Sequence, residues 1–236
     1  SSFAYLHNKK KVDFYHSIPV RREALFGAQF SGGIFMVGAA YGFNLLLLTG
    51  VALSYGVPAG RILGAMAGGW ALNMLYYALM YSVAVAAMMM TGNIVVGVLG
   101  TGVFFFFLPG VMMLLGWYCE TFFVTTARYM WSSDQSPFTW GVRYLSPFSV
   151  YINSFGWKMN ELVKHVPELI CTILAFLAVA TLDLELYRKR PSEAAGKAMA
   201  FKKSMPPVRI LLVLGIGLAG GMFFWSLQSR LRWGLF

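Results

Sequence analysis

Residues Ser31 to Tyr55 read SGGIFMVGAAYGFNLLLLTGVALSY, 25 consecutive positions without a charged side chain. The hydrocarbon core of a bilayer is about 30 Å thick and takes about 20 apolar residues in helix, so this stretch predicts a membrane helix. Four more predominantly apolar runs follow it. Ile62 to Met90 reads ILGAMAGGWALNMLYYALMYSVAVAAMMM, Ile94 to Tyr118 contains FFFFLPGVMMLLGW, and Val166 to Leu186 and Val208 to Leu227 complete the set. Pro109 inside the third run is no objection, because membrane helices tolerate Pro and Gly better than soluble ones. The composition agrees: of 236 residues 58% are hydrophobic and 12% charged, against roughly 45 to 50% and 25% in soluble domains. A water-soluble globule is excluded on these grounds. The predicted fold class is all-α, a polytopic helical membrane protein with about five membrane helices.

Charge orders these helices. There are 19 Lys and Arg against 9 Asp and Glu, a net +10, and 12 of the 19 fall in two places. Lys9, Lys10, Lys11, Arg21 and Arg22 precede the first run, and Arg188, Lys189, Arg190, Lys197, Lys202, Lys203 and Arg209 lie between the fourth and fifth. Short cytoplasmic loops are enriched in Lys and Arg, so both clusters are expected inside. The chain then divides into a cytoplasmic segment 1–23, three membrane helices in 24–118, an extracellular segment 119–165, a membrane helix 166–187, a basic cytoplasmic loop 188–207 and a last helix with the C-terminal end in 208–236. Arg61, Arg230 and Arg232 depart from this pattern. Within the outer segment, Phe122 to Met130 and Val142 to Lys164 mix aromatics with Ser, Asn and Pro. Such a composition suits interfacial half-helices with rings at headgroup depth, in a re-entrant hairpin or an irregular surface loop.

The segment before the first run is YLHNKKKVDFYHSIPVRRE, Tyr5 to Glu23. At helical spacing Phe3, His7, Lys10 and Phe14 share one side, with Tyr5, Val12 and Tyr15 near another. Pro19 lacks an amide hydrogen and fits the first turn of a new helix. A short cytoplasmic helix, a break at Ser17 to Pro19 and a helix entering the membrane are therefore expected. A helix of this kind fills a groove on a soluble partner, aromatics as anchors and charges setting register; alternatively it is a basic flank held by anionic headgroups.

The string LHNKKKVDFYHSIPVRREALF resembles the segment LHSxKxVDFYHSLPVxRExLF of type-2 ABC transporter permeases, in a branch common in Gram-positive bacteria. Leu186 to Val213, LYRKRPSEAAGKAMAFKKSMPPVRILLV, resembles a second segment of that branch, in the right order. The resemblance implies that Lys9 to Arg22 is the coupling helix that docks on a cytoplasmic ABC ATPase subunit, through Lys10, Lys11, Asp13, Phe14, Tyr15, His16, Ser17, Arg21 and Arg22, with Pro19 as the turn toward the membrane. It implies an exporter in the bacterial plasma membrane, built with a second permease chain, surrounded by lipid, with ATP and magnesium on the partner ATPase and no cofactor in this chain. In that family the coupling element joins the second and third membrane helices, so the chain corresponds to the family's later part. A membrane-embedded accessory or sensor subunit, binding a cytoplasmic partner without transport, is the alternative.

Other signals are local. Small residues four apart occur at Gly38 and Gly42, Gly64 and Gly68, and Gly217 and Gly221, where helices can approach closely. Asn44 and Asn73 lie inside runs, as an interhelical hydrogen bond or part of a substrate path. Asp183 and Glu185 lie within reach of Arg188, where a local ion pair is expected ahead of the alternative, proton coupling. The sequence has no GxxxxGK[ST], HExxH or GxSxG motif. His7, His16 and His165 are expected on opposite sides of the membrane, and the two cysteines, Cys119 and Cys171, are too few for a tetrahedral zinc site. No catalytic or metal-binding residue is assigned, and the basic residues follow the membrane boundary instead of forming a nucleic-acid patch.

Overall fold

A computed structural model describes residues 3–123, 137–155, 157, 163–191, 196–197, 199–201 and 205–233. Among them the secondary structure is helical, apart from one isolated bridge between Thr91 and Met199. A single 3-10 turn, Ala4–His7, precedes α1 (Lys9–Ser17), α2 (Arg22–Ser54), α3 (Ala59–Met90), α4 (Ile94–Phe122), α5 (Pro137–Tyr144), α6 (Pro147–Ser154), α7 (Val166–Lys189) and α8 (Met205–Trp233). The fold class is thus all-α. Four helices, within α2, α3, α4 and α7, are long and apolar enough to cross a membrane. α8, in the place of the fifth expected span, is a helix of 29 residues whose described apolar stretch is the shorter Val213–Leu227.

Local chemistry sets the breaks. Asn8 is extended and its side chain accepts from the Lys10 amide at 3.1 Å, an N-cap that starts α1 afresh after the 3-10 turn. Phe3, His7, Lys10 and Phe14 therefore do not share one helical face: the extended Asn8 interrupts the helix between His7 and Lys10. Ile18 is extended (φ −69°, ψ 131°) because the ring of Pro19 disfavours helix in the residue before it. Pro19 lies in this connection and not in the first turn of α2, which starts at Arg22 after an extended Arg21. Gly56, with φ +79°, makes the turn out of α2 that a side chain would strain.

The chain forms two compact units, 1–101 with 156–200, and 102–155 with 201–236. In the first, α3 is central: 44% of its apolar window is buried, against 6% in α2 and 11% in α7. Tyr76, Leu79, Ser82, Val85 and Met89 give it a buried stripe at three- and four-residue spacing. α2 approaches α3 where Gly38 and Gly42 leave room for the Trp70 ring, whose Nε1 donates to the Gly38 carbonyl at 3.3 Å. Gly64 meets no neighbour, so that glycine spacing has no close approach on its Gly64 side. Outward-facing Phe35, Leu46 and Leu47 are exposed, as helices facing hydrocarbon are.

In the second unit, Tyr118 donates to the Leu218 carbonyl at 3.1 Å and Phe122 packs on Trp225, joining α4 to α8. Gly221 sits against the Tyr118 hydroxyl, whereas Gly217 touches nothing. Ser146 caps α6 through the Phe148 amide and donates to the Phe105 carbonyl of α4. The short helices α5 and α6 lie within 119–165; residues 124–136, 156 and 158–162 of that segment, with most of Phe122 to Met130, lie outside the described residues.

Candidate functional site

The basic start of α2, the end of α3 and the basic end of α7 converge, and the N-terminal turn is seated on them. Phe3, Tyr5, Leu6, Phe26, Val85, Met89 and Tyr187 form one buried cluster, with Tyr15 of α1 packed against it. Its rings touch in sequence: Phe3 on Phe26 at 5.6 Å, Phe26 on Tyr187 at 5.5 Å and Tyr5 on Tyr15 at 4.4 Å. Aromatics supply large contact area with few torsions to freeze. The Tyr5 and Tyr187 hydroxyls lie 3.0 Å apart and hydrogen-bond to each other. Burial, with this bond next, holds the Tyr5 phenol far above its ordinary range.

Arg190 locks the cluster. It follows the last residue of α7, is buried, and donates from Nη1 to the carbonyls of Met88 (2.7 Å) and Met89 (2.9 Å) and from Nη2 to Leu6 (3.2 Å). The last carbonyls of a helix have no partner within it, and the flat guanidinium fork closes those of α3 while gripping the N-terminal turn. Burial lowers its pKa to about 10, so it remains a cation at neutral pH. The same burial, and then the charge of Arg190, lower the pKa of His7 and keep its ring neutral. The basic loop returns to the same end, where the Gly196 amide donates to the Gly92 carbonyl and the Ala200 amide to that of Met90, both at 2.8 Å.

α1 lies at this end with two faces. Val12 is buried and Tyr15 packs half-buried on the cluster, while Lys10, Phe14 and Ser17, at i, i+4 and i+7, and the neighbouring Lys11 are exposed. Phe14 is 65% exposed, edge-on to Tyr15 at 5.6 Å. Ser17 donates to the Phe14 carbonyl at 2.7 Å, closing the last turn. Pro19, Arg21 and Arg22 are exposed. Asp13 and His16 lie on α1, and their side chains are outside the described residues. Of the expected docking residues, then, Tyr15 belongs to the seat, and Lys10, Lys11, Phe14, Ser17, Pro19, Arg21 and Arg22 face outward.

Asn73 makes the interhelical bond, from Nδ2 to the Tyr41 hydroxyl at 3.1 Å, besides one to the Gly69 carbonyl of its own helix. Asn44 instead donates to Ala40 one turn back, at 2.9 Å, on the exposed face of α2. The expected pairing of Asp183 and Glu185 with Arg188 does not form. Arg188 reaches Glu23 of α2 at 2.6 Å, Glu185 holds Lys189 at 2.7 Å, and Asp183 points away into the bundle, fully buried. Helix geometry explains this: Asp183, Tyr187 and Arg190 are spaced four and three apart on the buried face, whereas Arg188 and Glu185 lie on the open one. The same spacing, extended back 11 residues to the buried Thr172, marks a polar stripe visible in the sequence of α7, and it carries the functional groups the charge pattern alone missed.

No protein-family model, curated protein or solved structure matches the chain.

Proposed function

We propose that this chain is the membrane-embedded permease subunit of an ATP-driven exporter of the type-2 ABC class, with α1 as its coupling helix. One observation carries the reading. α1 is seated on the bundle by one face, through Val12 and Tyr15, and presents Phe14 between lysines on the other. An exposed aromatic anchor with flanking cations suits a cleft on a soluble partner. In this reading a cytoplasmic ATPase subunit binds ATP and magnesium, its closure pushes on α1, and the ring chain Tyr15, Tyr5, Tyr187 and the Arg190 fork transmit the push to α3 and α7. Rigid-body tilting of a packed helix pair is an established form of switching. A second permease chain completes the pathway, and the basic ends face the bacterial cytoplasm.

Co-purification with the ATPase encoded beside this chain tests the reading. Phe14→Ala and Lys10→Glu are expected to weaken the complex at least tenfold, with unchanged thermal stability because both side chains are exposed. Retention of full binding and full ATPase stimulation in both variants overturns the coupling assignment. A chain that binds through α1 without altering ATP turnover is instead an accessory or sensor subunit.

A further inference from the structure

Asp183 is fully buried two helical turns before Arg190, and neither carboxyl oxygen has a hydrogen-bond partner among the described residues. α3 and α7 run in the same direction, since Arg190 just beyond α7 bonds the carbonyls of Met88 and Met89 at the end of α3. Every helix rises about 1.5 Å per residue. Ser82, seven residues before Met89, and Asp183, seven before Arg190, therefore lie at about the same depth, both fully buried in the most extensively packed helix pair of the unit. Ser82 donates to the Leu79 carbonyl at 2.8 Å, and neither Asp183 oxygen is hydrogen-bonded among the described residues. Burying a carboxylate without a hydrogen-bond donor or a counter-charge costs far more than burying the neutral acid.

The charged groups nearby are committed elsewhere. Arg190 is held by three backbone carbonyls, Arg188 by Glu23 of α2, and Lys189 by Glu185. On the buried side of α3 the polar side chains near this depth are the hydroxyls of Tyr76 and Tyr81, and one turn further along α7 is that of Tyr187, bonded to Tyr5. His7 of the N-terminal turn stays neutral beside Arg190. Among the described residues no cluster of three His, Cys, Asp or Glu is able to hold a metal ion. A hard metal cation takes about six oxygens; a proton takes one.

We infer that Asp183 is a proton-binding site between the packed helices α3 and α7, its carboxyl carrying one proton at neutral pH. The ligand is the proton itself. This stands whether or not an ATPase drives the chain.

The test uses the whole chain in lipid nanodiscs with aspartate 13C-labelled at its side-chain carboxyl, which marks Asp13, Asp134 and Asp183. At neutral pH the infrared spectrum is expected to contain one protonated-carboxyl band that shifts with the label and is lost in Asp183→Asn, the isostere of the neutral acid. Should that variant not fold, the double variant Asp13→Asn with Asp134→Asn leaves Asp183 as the sole labelled site, and the shifted band must persist. Three ionised aspartates at neutral pH, or a labelled band that survives Asp183→Asn, overturns the assignment.

Discussion

Arg190 does at one position what three separate caps would otherwise do, since its guanidinium closes two carbonyls of α3 and one of the N-terminal turn. Hydrogen bonds to a charged group contribute about 1.5 to 3 kcal/mol each, and losing a buried one leaves its acceptor unsatisfied. Arg190→Ala is expected to destabilise the protein by about 3 kcal/mol or more, with Arg190→Lys intermediate because a point ammonium cannot fork; thermal unfolding in detergent measures both. His7 makes the same end sensitive to acid. Its folded pKa lies below its unfolded value of about 6.5, so the unfolded turn binds the proton more readily. Stability from His7 is present above that value and is lost as pH falls below it. Hydrogen exchange of amides 4–7 should therefore speed up between about pH 7.5 and about pH 5.5 relative to the unfolded-peptide rate, and His7→Gln should remove the change.

A helix seated by one face can be lifted by one residue. Val12 is buried in α1, and Val12→Asp places an anion among apolar neighbours, so protease cleavage within residues 8–21 should accelerate at least tenfold, whereas Phe14→Ala leaves it unchanged. Asn8 starts that helix, and Asn8→Ala is expected to cost about 1 kcal/mol of local stability. Between α2 and α3 the deciding residue is Gly38. A β-carbon there would come within 3.3 Å of the Met74 sulfur, which can shift, but a larger side chain must displace the Trp70 ring as well. Gly38→Leu should therefore lower stability by about 1 to 3 kcal/mol, read from the same unfolding assay, with Gly64→Leu as the silent control because nothing lies near Gly64.

Across the whole molecule, helix length decides which positions share a membrane side. α2 has 33 residues, about 50 Å of helix at about 1.5 Å per residue, more than a bilayer core of about 30 Å requires. Ser17 before α2, and Lys197 tied through Gly196 to Gly92 beyond α3, stand at its basic end, and Gly56 at the other. In a chain freed of Cys119 and Cys171, cysteines at positions 17 and 197 should react with an impermeant maleimide from one side of sealed vesicles and a cysteine at 56 from the opposite side. Reaction of all three from one side would contradict a membrane crossing by α2.

Apolar runs made the long helices legible, because an unbroken stretch of about 20 apolar residues has few other uses. The break at Ser17 to Pro19 was legible too, because a proline ring acts on the residue before it; the one at Asn8 was missed, although its cap acts over only two neighbours. The helix starts were less so: α2 begins nine residues before the apolar run at Ser31, because backbone hydrogen bonding continues through polar residues that hydropathy does not count. Partnership was beyond reach. Arg188 and Arg190 are two residues apart and chemically alike, yet one pairs with Glu23 on the open face and the other is buried against α3 and the N-terminal turn. Likewise Asn44 bonds within its helix and Asn73 across to Tyr41. The sequence by itself determined that the chain is all-α and built on long apolar helices, since length and polarity act locally. Which charge is paired, which face carries Phe14 and which carboxyl is shut inside were decided by tertiary structure alone, because they depend on how helices rotate about their axes to bury one stripe against another.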